Sequence, residues 1–183
     1  MEYKHWYESD HPVIGRIMLA SDGDALTGLW FDGNQRFFGY TMDEEVEEAQ
    51  LPVFDQACEW LDIYFQGKDP GPLPPDHLKC TEFRKEVCEI MARIPYGQTI
   101  TYGDIAAELA SRRGKKRMSA QAVGGAVGHN PVGLIIPCHR VVGAGGNLTG
   151  YGGGMVRKVA LLELEGCDMS KFIIPTKGTA ISF

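Results

Sequence analysis

No stretch of this chain approaches the roughly 18 consecutive apolar residues of a membrane-spanning helix. Its first residues, Met1-Glu2-Tyr3-Lys4-His5-Trp6, are not a basic segment leading into an apolar one. A cytoplasmic protein with no membrane partner is therefore expected. Cysteine is sparse: Cys58, Cys80, Cys88, Cys138 and Cys167 are odd in number and never form a Cys-x-x-Cys pair. That argues against a disulfide framework or a sequence-local zinc site, and favours reduced thiols. The histidines, at 5, 11, 77, 129 and 139, show no metal-ligand spacing either, so no metal and no other cofactor is expected. The glycine-rich stretch from Gly143 to Gly154 lacks the Gly-x-x-x-x-Gly-Lys-Ser/Thr pattern, and no dinucleotide fingerprint stands between a strand and a helix. A loop over a pocket fits it better than a phosphate cradle.

Apolar residues make up 44% of the 183, enough to bury the core of one domain or two small ones. Net charge is −6, which by itself disfavours a polyanionic partner, but it is unevenly spread. Residues 1–79 carry 5 Lys/Arg against 16 Asp/Glu, a net of −11, whereas residues 80–183 carry 13 against 8, a net of +5. Only the second part suits nucleic acid. Its densest positive run, Arg112-Arg113-Gly114-Lys115-Lys116-Arg117, could follow phosphates or form a solvated loop.

The pattern along the chain divides it the same way. Val13–Ala20 and Leu26–Phe31, separated by Ser21-Asp22-Gly23-Asp24 and followed by Asp32-Gly33-Asn34, read as antiparallel strands joined by tight turns. An acidic segment from Asp43 leads into Val53–Phe65, where apolar residues recur at three and four before Gly67; that helix should cover one face of the sheet. Pro70-Gly71-Pro72-Leu73-Pro74-Pro75 sustains neither helix nor central strand and reads as a linker. Beyond it, Thr81 can cap a helix to about Ala92, Thr101 a helix from Tyr102 to Ala110, and Ser119 a helix from Ala120 toward His129. The last two suggest a helix-turn-helix. The fold class is α+β: a small antiparallel-sheet domain with a covering helix over residues 1–79, then a mostly helical domain over 80–183.

Two features of the second part carry chemistry. Gly124 and Gly125 sit inside a helix, where glycine weakens it by about 1 kcal/mol relative to alanine. Such a bare helix admits close approach, either of a neighbouring helix or of a DNA minor groove. In Ile136-Pro137-Cys138-His139-Arg140-Val141-Val142, a thiol stands beside an imidazole within an apolar run. Adjacent side chains of an extended segment point to opposite faces, so the pair can act together only if Pro137 turns the chain. An inert buried cysteine and an activated nucleophile are both open on these residues alone.

Several elements in order then point to a family. Asn130-Pro131, Ile136-Pro137-Cys138-His139-Arg140-Val141-Val142, Thr149-Gly150-Tyr151 and Leu161-Leu162-Glu163-Leu164-Glu165-Gly166 closely resemble the O6-alkylguanine-DNA alkyltransferases, or methylated-DNA–protein-cysteine methyltransferases. The likeness is strong from Phe83 to Gly166 and weaker before, through the strand-and-helix pattern and Tyr64-Phe65-Gln66-Gly67. It implies a ribonuclease H-like supporting domain and a winged-helix type of DNA-binding domain. The implied activity is single-use repair by a monomer, with the alkyl group passing irreversibly from O6 of guanine in double-stranded DNA to Cys138. O4 of thymine stays open as a second substrate.

The resemblance assigns His139 to take the thiol proton through a water, Glu165 to orient His139, and Asn130 to fix the turn before the cysteine. Tyr102 would assist rotation of the nucleotide, and the carbonyls of Cys138 and Val141 would receive the base's exocyclic amine. Tyr151 would line the pocket and donate a hydrogen bond to departing guanine, with Gly152 where a serine is often found. Ala120, Ala122, Gly124, Gly125, Arg117 and Arg140 would contact DNA. Gln121 stands where most familiar members place an arginine that fills the space left by the flipped base; glutamine can still intercalate, without the charge. Two rivals fit less. A lesion binder without a nucleophile conflicts with Cys138, and a winged-helix regulator leaves Pro137-Cys138-His139-Arg140 unexplained. A cysteine hydrolase lacks an accompanying oxyanion-hole motif.

Overall fold

Strand β1 (Tyr3–Glu8) pairs antiparallel with β2 (Arg16–Ser21), which pairs antiparallel with β3 (Leu26–Phe31). The computed structural model describes residues 2–33 and 46–175; Asn34 of the expected turn and Asp43 at the head of the acidic segment lie outside the described residues. The acidic segment contributes β4 (Glu47–Glu48), parallel to β1, so the sheet order is β3-β2-β1-β4. The chain forms two compact units, residues 1–79 with 131–135, and residues 80–130 with 136–183.

In the first unit, Ile17, Met18, Leu19 and Ala20 of β2 are all buried, which explains why this strand lacks alternation: both its faces are covered. Helix α1 (Pro52–Phe65) covers one face, starting with proline at its first turn and burying Val53, Phe54, Ala57, Trp60, Leu61 and Tyr64. Phe54 stacks on His5, with ring centres 5.5 Å apart. On the other face Met18, Ala20 and Trp30 cluster with Trp6. The Trp30 ring lies so close over Gly28 that a Cβ there would be 1.8 Å from it, so only glycine fits. The proline segment read as a linker is held at its end: Leu26 N–H donates to Pro75 O and His77 N–H to Leu26 O, both at 2.8 Å, tying it to β3. Residues 131–135 also belong here rather than with the rest of 80–183, because Leu29 N–H donates to Pro131 O at 2.8 Å and Val132, Leu134 and Ile135 are buried.

The second unit is built from α2 (Glu82–Ala92), α3 (Tyr102–Arg112), α4 (Ala120–Gly128) and α5 (Met155–Leu164). Each N-cap foreseen from sequence is formed: Thr81 accepts from Arg84 N–H, Thr101 from Asp104 N–H, and Ser119 from Ala122 N–H. Asp104 returns a hydrogen bond to Thr101 N–H, completing a capping box. Helices α2, α3 and α4 pack on one another. Two of the five cations in the basic run serve this packing: Arg113 binds Glu86 of α2 through two hydrogen bonds, of 3.0 and 2.9 Å, and Arg112 reaches Glu89 of α2 at 3.5 Å as well as Glu108 of its own helix at 2.6 Å. Lys115, Lys116 and Arg117 are exposed.

A pair of two-residue strands places the site. β5 (Ile100–Thr101) pairs in parallel with β6 (Val141–Val142), Ile100 opposite Val141 and Thr101 opposite Val142. β5 runs directly into Tyr102, and β6 directly follows Cys138-His139-Arg140. The pairing therefore brings the head of α3 beside the cysteine turn.

Candidate active site

Pro137 makes the bend that the cysteine needs. Its φ of −82° and ψ of 67° lie at an inverse γ-turn, and Cys138 N–H donates to Ile136 O at 2.8 Å across it. Cys138–Arg140 then forms one 3₁₀ turn, with Arg140 N–H on Pro137 O at 3.0 Å. In this turn successive side chains are splayed by about 120° rather than opposed. Asn130, 2% exposed, donates from Nδ2 to Ile136 O at 2.7 Å and so anchors the residue before the proline.

The two residues after Cys138 in this turn belong to a buried ion cluster. His139 is wholly buried, and its Nε2–H donates to Glu165 Oε1 at 2.6 Å. A carboxylate only accepts, so the hydrogen sits on Nε2 and Nδ1 is the basic nitrogen of the ring. Arg140 donates from Nε to Glu165 Oε2 at 2.9 Å, from Nη2 to Oε1 at 3.0 Å, and from Nη1 to Ile94 O at 2.6 Å. Its guanidinium also lies over the Tyr96 ring, 5.6 Å from the centre. Gly97 N–H adds a further bond to Glu165 Oε2 at 2.9 Å. Burial alone would raise the Glu165 carboxyl, but hydrogen bonds and charge from His139 and Arg140 outweigh it and hold its pKa at about 2. Burial lowers the pKa of His139 despite that partner, so at neutral pH the pair is a neutral imidazole and an ionised carboxylate, with Arg140 as counter-charge.

Two tyrosines lie close enough to Cys138 to sense its charge. Tyr102 O–H reaches both Thr149 O and Gly150 O at 3.0 Å, and burial pushes its pKa up to about 12, the charge of a Cys138 thiolate adding to the shift. The Tyr151 ring meets His139 edge to face with centres 6.4 Å apart. Burial, and next the thiolate, hold the Tyr151 pKa well above its ordinary value, so both tyrosines stay protonated donors. Gly152, next along, is half-buried. Cys138 itself is 8% exposed.

Of the residues named from sequence, Cys138, His139, Glu165, Asn130, Tyr102, Val141 and Tyr151 are gathered by the turn, the β5–β6 pair and the end of α5. Ala120, Gln121, Ala122 and Gly125 are exposed along α4, while Gly124 is half-buried and faces Tyr102, its Cβ position 3.9 Å from that ring. Nothing described lies within 4 Å of a Cβ built at Gly125 or Gly128. Those two glycines therefore do not serve packing within the unit. Arg140, expected among the DNA contacts, is 7% exposed and its guanidinium is bound to Glu165 and Ile94 O, so it serves as the internal counter-ion of Glu165.

Lys158 was missed. It is fully buried, donating from Nζ to Val141 O at 2.7 Å and to Thr149 O at 3.1 Å, and burial lowers its pKa to about 8. One ammonium thus ties β6 to the glycine-rich loop. The available signal was its place on the inner stripe of α5 with Met155, Leu161 and Leu162, where a lysine breaks an apolar series. Among the described residues no cluster of three or more His, Cys, Asp or Glu could hold a metal, and no helix is long and apolar enough to cross a membrane.

Comparison with known proteins gives the same family for both parts of the chain. Residues 82–167 match the family described as 6-O-methylguanine DNA methyltransferase, DNA binding domain, and residues 3–71 match its ribonuclease-like domain. A methylated-DNA–protein-cysteine methyltransferase of Mycolicibacterium paratuberculosis is 45% identical over 165 residues, covering 87% of this chain and 91% of that one. That of Mycobacterium tuberculosis is 40% identical over 163 residues, covering 88% and 92%. The crystal structure of Mycobacterium tuberculosis OGT in complex with DNA superposes with a TM-score of 0.72 at 36% identity, covering 93% of this chain and 94% of that chain.

Proposed function

The chain belongs to the 6-O-methylguanine DNA methyltransferases, which repair DNA by moving an alkyl group onto a protein cysteine, and we propose that Cys138 is that acceptor here. The observation that carries the reading is the buried His139–Glu165–Arg140 cluster, built on the two residues that follow Cys138 in its 3₁₀ turn. Glu165 keeps the hydrogen on Nε2, so Nδ1 takes the thiol proton through a water, and the imidazolium formed is held by a carboxylate already ionised. The thiolate attacks the saturated carbon on O6; an S–C bond forms as the C–O6 bond breaks, its electrons passing to guanine. Tyr151, a protonated donor, hydrogen-bonds the leaving base, which takes its proton from the site. The thioether has no easy route back, so each molecule acts once.

The lesion reaches the pocket by rotation out of the duplex, at a cost of a few kcal/mol for unstacking. The exposed face of α4, with Ala120, Ala122 and Gly125 and its open glycine surface, enters the minor groove, and Gln121 fills the gap left by the base. Gly124 leaves room for Tyr102, which stands at the pocket edge and guides the nucleotide, while Arg117 meets the backbone. Val141 O keeps one lone pair beyond its bond to Lys158 for the exocyclic amine. The helix-turn-helix is of the winged type, residues 1–79 support the second domain, and the protein works as a cytoplasmic monomer on O6-alkylguanine in double-stranded DNA.

Incubating the protein with a duplex carrying O6-[³H-methyl]guanine and mapping the label by peptide analysis tests this directly. One methyl per molecule is expected, on Cys138, and Cys138→Ala should abolish transfer while retaining lesion binding. Label on another cysteine, no label, or repeated turnover would each overturn the assignment.

A further inference from the structure

Helix α4 carries no charged side chain from Ala120 to Gly128, yet a basic residue stands just outside each end: Arg117 before it and His129 after it. Both are exposed. The nine residues span roughly 14 Å at 1.5 Å each, longer than the ~6 Å width of a minor groove, so each end of a helix laid across the groove reaches the phosphates flanking it.

His129 is set for such a contact by its own geometry. Its Nδ1 lies 2.6 Å from Gly125 O; a carbonyl only accepts, so Nδ1 carries hydrogen and the second proton of a charged ring would sit on Nε2. That bond holds the ring along the row Gln121–Gly125–His129, whose residues are exposed and whose glycine has open space above it. His129 is the C-terminal cap of α4, so its ring stands at the last turn of the helix.

The helices packed against α4 hold mostly neutralised charges: on α3, Asp104 serves the capping box and Glu108 pairs with Arg93 and Arg112. On α2, Glu82 pairs with Lys85, Glu86 with Arg113 and Glu89 with Arg112, leaving Arg84 as the other cation of that helix.

We infer that His129 is a second phosphate anchor of the α4 face, opposite Arg117, and that binding duplex DNA takes up a proton there. The inference rests on the proposal that this face meets DNA. Because the contact is to phosphate, unmodified duplex is the probe, and no alkyl transfer intervenes. Affinity of the full chain, measured by fluorescence anisotropy at about 0.1 M salt, should weaken roughly fivefold to tenfold from about pH 5.5 to pH 8, and the salt slope should fall by about 0.9. His129→Gln should bind at all pH values as the native protein does at high pH, with that dependence gone. His129→Lys should bind tightly throughout, showing that an intact fold with a fixed charge suffices. A native profile without pH dependence, or a His129→Gln profile that keeps it, overturns the inference. Label transfer to Cys138, followed separately, reports on the proposed function whatever the outcome at His129.

Discussion

In a Glu165→Gln variant the side chain keeps its length, but one of its two acceptor oxygens becomes an NH₂ group. The native carboxylate accepts from His139 Nε2 and Arg140 Nη2 at Oε1, and from Arg140 Nε and Gly97 N–H at Oε2. Whichever way the amide turns, two of these donors face a donor. Turned toward His139, it forces the ring hydrogen onto Nδ1 and reverses the tautomer that proton transfer requires. Turned toward Gly97, it strands a backbone N–H and the Arg140 Nε. Either way the Arg140 guanidinium, 7% exposed, loses its counter-charge. Breaking a buried pair by removing one partner costs about 3–5 kcal/mol, which in a domain of this size lowers the melting temperature by roughly 6–20 °C. Calorimetry measures the first effect. Single-turnover label transfer, run well below the variant's melting temperature, should slow by about 10²-fold or more as general-base assistance is lost. A melting shift under about 3 °C together with transfer within about twofold of native would refute the claim that Glu165 both holds Arg140 and orients His139.

Three further outcomes are expected. Lys158→Met removes the donor shared by Val141 O and Thr149 O, and should destabilise the protein by about 1–3 kcal/mol in urea unfolding; equal or greater stability would show that the buried ammonium is not a tie. At Gly97, where φ is +72° and a Cβ would stand 2.9 Å from Glu165 O, Gly97→Ala should cost about 1–3 kcal/mol, and an unchanged melting temperature would count against it. Acid should unfold the protein in two ranges, because both groups have depressed native values and the unfolded chain takes each proton first. Stability falls as pH drops below the ordinary 6.5 of His139, and further as it drops from 4.5 toward the native value of about 2 for Glu165. Melting temperatures flat from about pH 7 to pH 5 would contradict a neutral buried imidazole.

Much of the local structure was legible because local rules govern it. Thr81, Thr101 and Ser119 cap their helices as their side-chain chemistry demands, and Pro137 makes the turn that its fixed φ favours. The pairing at the end of the proline segment was not legible, because lack of helix or ladder propensity does not forbid the backbone bonds that Pro75 and His77 make with Leu26. Residues 131–135 follow the second unit's helices in sequence but join the first unit's sheet, since three buried apolar side chains outweigh chain continuity. Arg140 looked like a surface cation, as arginines beside a DNA-binding motif usually are; its burial depended on a carboxylate 25 residues away.

By itself, the sequence determined the α+β division, the helix limits, the family and the identity of Cys138 as the candidate acceptor, because periodicity, caps and an ordered motif are properties of neighbours in the chain. Only the tertiary structure decided what activates that cysteine. The two-residue pairing of β5 with β6 sets Tyr102 beside the turn, α5 delivers Lys158 and Glu165 from its inner stripe and its end, and Arg140 turns inward. Those contacts join residues far apart in sequence, and their strength comes from the low-dielectric interior that folding creates around them.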